Sequence, residues 1–119
     1  MKAGRELDAL VAEKVMGWTP KMISPGDPSL GKRRGWYAPD RHADVTDDDL
    51  EYYSIDTDAA WKVVEKLNLG SSIAYLPGPK KHTVKFWLGF ETKGYAEADT
   101  MPLAVCLAAL QVKGVEVPA

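Results

Sequence analysis

The stretch Tyr53-Ser54-Ile55-Asp56-Thr57-Asp58-Ala59-Ala60-Trp61, continuing into Lys62-Val63-Val64-Glu65-Lys66-Leu67, holds the clearest structural signal in the chain. It reads as an extended aromatic entry, a cluster of capping residues and an amphipathic helix. Asp56 and Thr57 are good N-caps, because their side-chain oxygens accept the otherwise unpaired amides of a first turn. Asp58 follows near the positive end of the helix dipole. The spacing predicts a helix burying Ala60, Trp61, Val64 and Leu67 and ending at Asn68-Leu69-Gly70.

Two more helices are legible on either side. From about Ala3 to Met16, Leu7, Leu10, Val11 and Val15 form one apolar stripe. Arg5, Glu6, Asp8, Glu13 and Lys14 are assigned to the other faces, with Gly17 at the left-handed C′ position. After Thr100, a candidate N-cap, Pro102 is tolerated in a first turn. Leu103, Cys106, Leu107 and Leu110 share one face there, Ala104, Ala108 and Ala109 allow close approach, and Gly114 closes the helix.

Between the second and third helices lies a β section. Ser72–Leu76 predicts a short strand, Pro77-Gly78-Pro79-Lys80 a turn, and His82–Phe90 a longer strand. Val84, Phe86, Leu88 and Phe90 alternate with Thr83, Lys85, Trp87 and Gly89, the period of a half-buried strand. Thr92-Lys93-Gly94 is assigned to a turn into a brief third strand, Tyr95–Ala98. The fold class is therefore α+β: an antiparallel meander of two or three strands packed with three helices, in the order α-loop-α-β-β-(β)-α. The region from Trp18 to Tyr52 shows no periodicity and carries Pro20, Pro25, Gly26, Pro28, Gly31, Gly35 and Pro39 ahead of an acid-rich run. Residues 19–52 are expected to form a long irregular loop, ordered by its aromatics and packed on a single domain spanning 1–119, with a short hairpin around Gly35. A connection of about 35 residues far exceeds ordinary lengths and points to function or disorder.

Composition narrows the function classes. A chain of 119 residues is one domain, and a 45% hydrophobic content with four tryptophans supports a modest core that oligomerisation would assist. A net charge of −2 gives no general attraction to nucleic acid or anionic membrane. The single cysteine, Cys106, excludes an internal disulfide and fits a reducing compartment. No apolar run approaches the roughly 20 residues of a membrane span. A soluble intracellular protein is expected.

The chain resembles the phage ABA-sandwich domain family. The residues that carry the likeness are Leu7–Trp18, Tyr53–Asp56 leading into Ala59–Leu67, and Pro102–Leu110, in that order and at compatible spacing. Together with the strands, the likeness covers most of the chain outside the 19–52 loop. It implies an α/β sandwich completed by self-association as a homodimer or higher oligomer, a phage accessory role and the host cytoplasm. It carries no catalytic residues.

Candidate chemistry is sparse. Lys32-Arg33-Arg34 beside Trp36-Tyr37 joins cations to stacking surfaces, which recognition of a phosphate and a base requires. With Trp18, Tyr53, Ser54 and Asp56 these residues define a candidate site for a small anionic nucleotide-type ligand, such as a host immune signal sequestered without turnover. Ser54 and Asp56 are more simply caps, although amides at a helix N-terminus also bind anions. Lys80-Lys81-His82 reads as a solvated hairpin tip. His42, between Asp40 and Asp44 and followed by Asp47, Asp48 and Asp49, lacks metal-ligand spacing. Cys106 lies on an apolar face, where a structural thiol is expected. Neither a phosphate-binding glycine loop nor a nucleophile motif is present, so no cofactor, no metal and no enzymatic activity are expected. The competing class is a protein- or nucleic-acid-interaction module that uses a sheet edge or the acidic run against a host factor.

Overall fold

A computed structural model describes residues 2–23, 33–46 and 49–115, with the side chains of 23, 33 and 34 outside that description. The elements run α1 (Arg5–Lys14), β1 (Thr19–Ile23), β2 (Arg33–Ala38), β3 (Ala43–Thr46), α2 (Thr57–Leu67), β4 (Gly70–Leu76), β5 (Lys81–Leu88), β6 (Glu91–Ala98) and α3 (Met101–Val112). They form three helices and two three-stranded antiparallel sheets, ordered β1-β2-β3 and β4-β5-β6.

Helix α3 is the hub. It packs on β5 and β6 on one side and on α1 and α2 on the other. A helix covered on both sides must be apolar all round. Ala104, Val105, Cys106, Ala108, Ala109 and Leu110 are accordingly all buried, a wider surface than the single face expected from sequence. Thr100 caps it, its Oγ1 accepting from Leu103 N–H at 3.4 Å.

The second helix starts where its caps predict. Asp56 Oδ1 accepts the Asp58 N–H at 3.0 Å, and Asn68 ends the helix in the left-handed conformation. Its buried stripe, however, is Ala59, Ala60, Val63 and Val64, while Trp61 is 45% exposed. Helix-on-helix packing against α3 selects the small side chains at 59 and 60, which rotates the indole at 61 toward solvent.

In the second sheet, Val84 and Phe86 are buried against α3 as the alternation predicts. The hairpin to β6 turns at Gly89-Phe90 rather than at Thr92-Lys93-Gly94, since Leu88 pairs with Glu91. Gly89 takes φ +62°, a region costly for any other residue at that tight position. The turn leaves Leu88 and Phe90 in solvent instead of in the core. Gly94 then lies inside β6, where α3 passes closest. A Cβ on Gly94 would overlap the Ala108 carbonyl oxygen and lie 3.0 Å from Val112 Cγ2.

The expectation of an irregular 19–52 loop is corrected. The described part of that region forms a sheet, in which Pro20 pairs with Trp36 and Trp36 with Val45. Its signal was an alternation spread over strands of five, six and four residues. Prolines and glycines interrupt it too often for a periodic window to register. Trp36, Ala38 and Val45 face inward and join the core. On the opposite face Lys21 Nζ reaches Asp44 Oδ2 at 2.9 Å across β2.

Candidate functional site

The expected site residues whose side chains are described do not converge on one place. Trp18 follows α1, where Gly17 (φ +80°) reverses the chain and Trp18 N–H donates to the Ala12 carbonyl at 2.9 Å. Trp36 lies on the inner face of its sheet. The two rings meet edge to face with centroids 6.4 Å apart, and each is only 1% exposed. That geometry is favourable for aromatic packing. It leaves neither ring face available to stack on a base, which corrects the reading of these tryptophans as ligand-stacking surfaces. Tyr37 lies on the outer face of β2 and is exposed. Arg33 and Arg34 lie in β2 opposite Ile23 and Met22, and their side chains, with Lys32, lie outside the described residues.

Trp18 anchors a polar junction. Its indole Nε1–H donates to Asp40 Oδ1 at 3.0 Å, and the Arg41 guanidinium stands 5.4 Å from its ring centroid. Arg41 reaches Glu51 Oε2 at 3.7 Å, Lys62 Nζ pairs with Glu51 Oε1, and the Tyr53 hydroxyl donates to Glu51 Oε2 at 3.3 Å. Glu51 is only 15% exposed and thus carries two cations and a phenol. Burial, reinforced by the charges of Glu51 and Asp40 and by the hydrogen bond to Glu51, holds the Tyr53 phenol far above its ordinary value despite the opposing charge of Arg41. Tyr53 is thereby held as the neutral phenol.

Ser54 is likewise interior. Its N–H and its Oγ–H both donate to Asp8 Oδ1, at 2.8 and 2.7 Å, and its Oγ accepts from Gly4 N–H at 2.9 Å. Asp8, assigned from sequence to an exposed face, is completely buried in the first turn of α1. There it lies near the positive end of the helix dipole, with the Arg5 guanidinium 3.3 Å away. Arg5 also lies 4.3 Å from the centroid of Tyr52. Asp56 is an exposed cap whose carboxylate occupies the start of α2, so an anion there would meet negative charge.

Burial and the charge of Asp8 push the Cys106 thiol well above its ordinary range, which keeps it protonated and unreactive. Lys81 and His82, expected at a hairpin tip with Lys80, are instead the first residues of β5; Lys81 pairs with Asp99, and the His82 ring lies tilted by 45° against Tyr75 with centroids 4.9 Å apart. His42 lies in the connection between β2 and β3, and Asp47 and Asp48 lie outside the described residues. Among the described residues no three His, Cys, Asp or Glu side chains come together to hold a metal, and no buried side-chain polar atom lacks a hydrogen-bond partner.

The exposed apolar residues are the feature that sequence reasoning missed. Leu88 and Phe90 project from the β5–β6 turn, with Phe90 fully exposed, and Ile55 and Trp61 lie open at and near the start of α2. The available signal was Gly89: glycine is the residue favoured in a two-residue hairpin loop, and a loop at Gly89-Phe90 takes Phe90 out of the strand.

The comparisons agree with this architecture. The phage ABA sandwich domain profile matches residues 9–110. A phage protein from Bacillus cereus ATCC 14579, known from a 2.0 Å crystal structure, superposes with a TM-score of 0.70 at 25% identity, covering 99% of this chain and 93% of that one. No curated protein matches the chain. With a profile match over most of its length and the three expected helices in place, the chain belongs to the phage ABA sandwich domain family.

Proposed function

We propose that this phage-family protein is a non-catalytic interaction module that engages a host protein through the apolar β5–β6 tip. One observation carries the reading: Trp18, Trp36, Tyr53 and Ser54, which a ligand site would need, are buried and engaged inside the fold, whereas Leu88 and Phe90 stand unsupported in solvent. Exposing two large apolar side chains on one turn is unfavourable unless a partner covers them, and aromatic residues are frequent anchors of protein interfaces. Charge at the neighbouring Glu91–Lys93 pair, 3.1 Å apart, supplies a polar rim.

Sequestration of a nucleotide-type immune signal in the host cytoplasm is the rival reading. It would have to rely on Tyr37 with Arg33 and Arg34, without the buried tryptophans. The two separate in one comparison. Immobilised wild-type protein and a Leu88→Ser/Phe90→Ser variant are exposed to host extract, and both are melted against cyclic nucleotides and ADP-ribose derivatives. The module reading expects a host protein held by wild type and lost by the folded variant, with no nucleotide-dependent stabilisation. A clear rise in melting temperature with any nucleotide, or equal retention by both proteins, overturns it.

A further inference from the structure

The two edges of the β4-β5-β6 sheet are treated differently by the fold. Helix α3 runs along β6, and Gln111 Oε1 accepts the outward Tyr95 N–H at 3.0 Å. That edge has one outward amide satisfied and carries Glu91, Lys93 and Glu97 along its length. Strand β4 pairs with β5 on one side, and on its other side no described element forms a ladder with it. Its seven residues, Gly-Ser-Ser-Ile-Ala-Tyr-Leu, contain no charge and no proline, and most are exposed. Natural edges of this length normally carry a lysine, a proline or a bulge to prevent pairing. None is present in β4, and its ladder to β5 is regular over all seven positions.

The strand is also self-complementary. In an antiparallel pairing centred on Ile73, Leu76 of one copy lies opposite Gly70 of the other. Gly70 pairs with Trp87 in β5, and the indole folds over it: a Cβ on Gly70 would overlap Trp87 Nε1 and Cε2 and lie 3.0 Å from Cδ1. The indole therefore leans from the second strand toward the free edge, on the face that also carries Leu76. Leu76 is exposed in the single chain. The pairing would set it against the partner's Trp87, and like charges would not meet along the strand.

We propose that β4 is a homodimerisation edge, pairing antiparallel with β4 of a second copy to make one six-stranded sheet. This inference does not depend on the β5–β6 tip, which lies on a different hairpin. Sedimentation of the intact protein at hundreds of micromolar, combined with amide hydrogen exchange, tests it. The expected result is a dimer in which the outward amides of 70–76 exchange about tenfold or more slowly than in diluted protein, with β6 unchanged. Ser72→Lys with Ala74→Lys, both at exposed positions, should give a folded monomer, and Leu76→Ser should weaken association by about tenfold. A wild-type monomer at that concentration, or a dimer whose 70–76 amides exchange as freely as in diluted protein, overturns the proposal. If the lysine variant does not fold, the wild-type exchange pattern alone decides.

Discussion

Removing the Asp8 carboxylate should cost more stability than almost any other single polar change in this protein. Oδ1 accepts two hydrogen bonds from Ser54, at 2.7 and 2.8 Å, in a place sealed from water. Asp8→Ala would leave the Ser54 N–H buried without an acceptor and the Oγ–H with only the long contact to the Gly4 carbonyl at 3.4 Å, each change costing about 1–3 kcal/mol. Arg5 is partly exposed, so its loss as a partner adds little. The total is about 3–5 kcal/mol, a large share of the roughly 5–15 kcal/mol that holds a domain folded. Ser54→Ala removes one charge-assisted bond and the acceptor of the Gly4 N–H, for about 2–3 kcal/mol. Because both variants break the same Oγ–H···Oδ1 bond, the double variant should cost about 1–2 kcal/mol less than the sum. Urea unfolding of the four proteins, followed by circular dichroism, measures the cycle. A drop for Asp8→Ala of less than about 1 kcal/mol, or additivity within about 0.5 kcal/mol, would refute the buried clamp between α1 and the 53–54 segment.

Two further outcomes test other parts of the structure. Gly94→Ala should lower stability by about 1–3 kcal/mol by forcing α3 off β6, since its Cβ would meet backbone that cannot rotate away; equilibrium unfolding with an unchanged midpoint would contradict that contact. Tyr53 ties stability to alkaline pH, because its folded-state value is raised. Its contribution is complete below the unfolded value near 10 and falls by about 1.4 kcal/mol per pH unit above it, as the unfolded chain alone ionises. Tyr53→Phe should flatten that decline, leaving the similarly directed part from Cys106, and stability measured from pH 8 to 11 checks it.

What the sequence disclosed follows from where the forces are local. Caps at Asp56 and Thr100 and the alternation around Val84 and Phe86 depend on neighbours in the chain, and they were readable. The β1–β3 sheet was not, because its inward positions, Trp36, Ala38 and Val45, belong to strands too short to establish a period and are joined only by pairing. Trp61 went astray for a related reason: which face a helix buries is set by the helix it meets, and α3 offers alanines that favour Ala59 and Ala60. Asp8 reads as a solvated charge until Ser54, 46 residues away, supplies its hydrogen bonds. Trp18 and Trp36 likewise read as stacking surfaces until they pack on each other, 18 residues apart in the chain, and are buried.

The most direct test of the account is the pairing of partner capture with nucleotide melting on wild-type protein and Leu88→Ser/Phe90→Ser. The account predicts a host protein retained by wild type alone and a melting temperature indifferent to every nucleotide. A nucleotide that stabilises wild type, or capture unaffected by loss of Leu88 and Phe90, would contradict it.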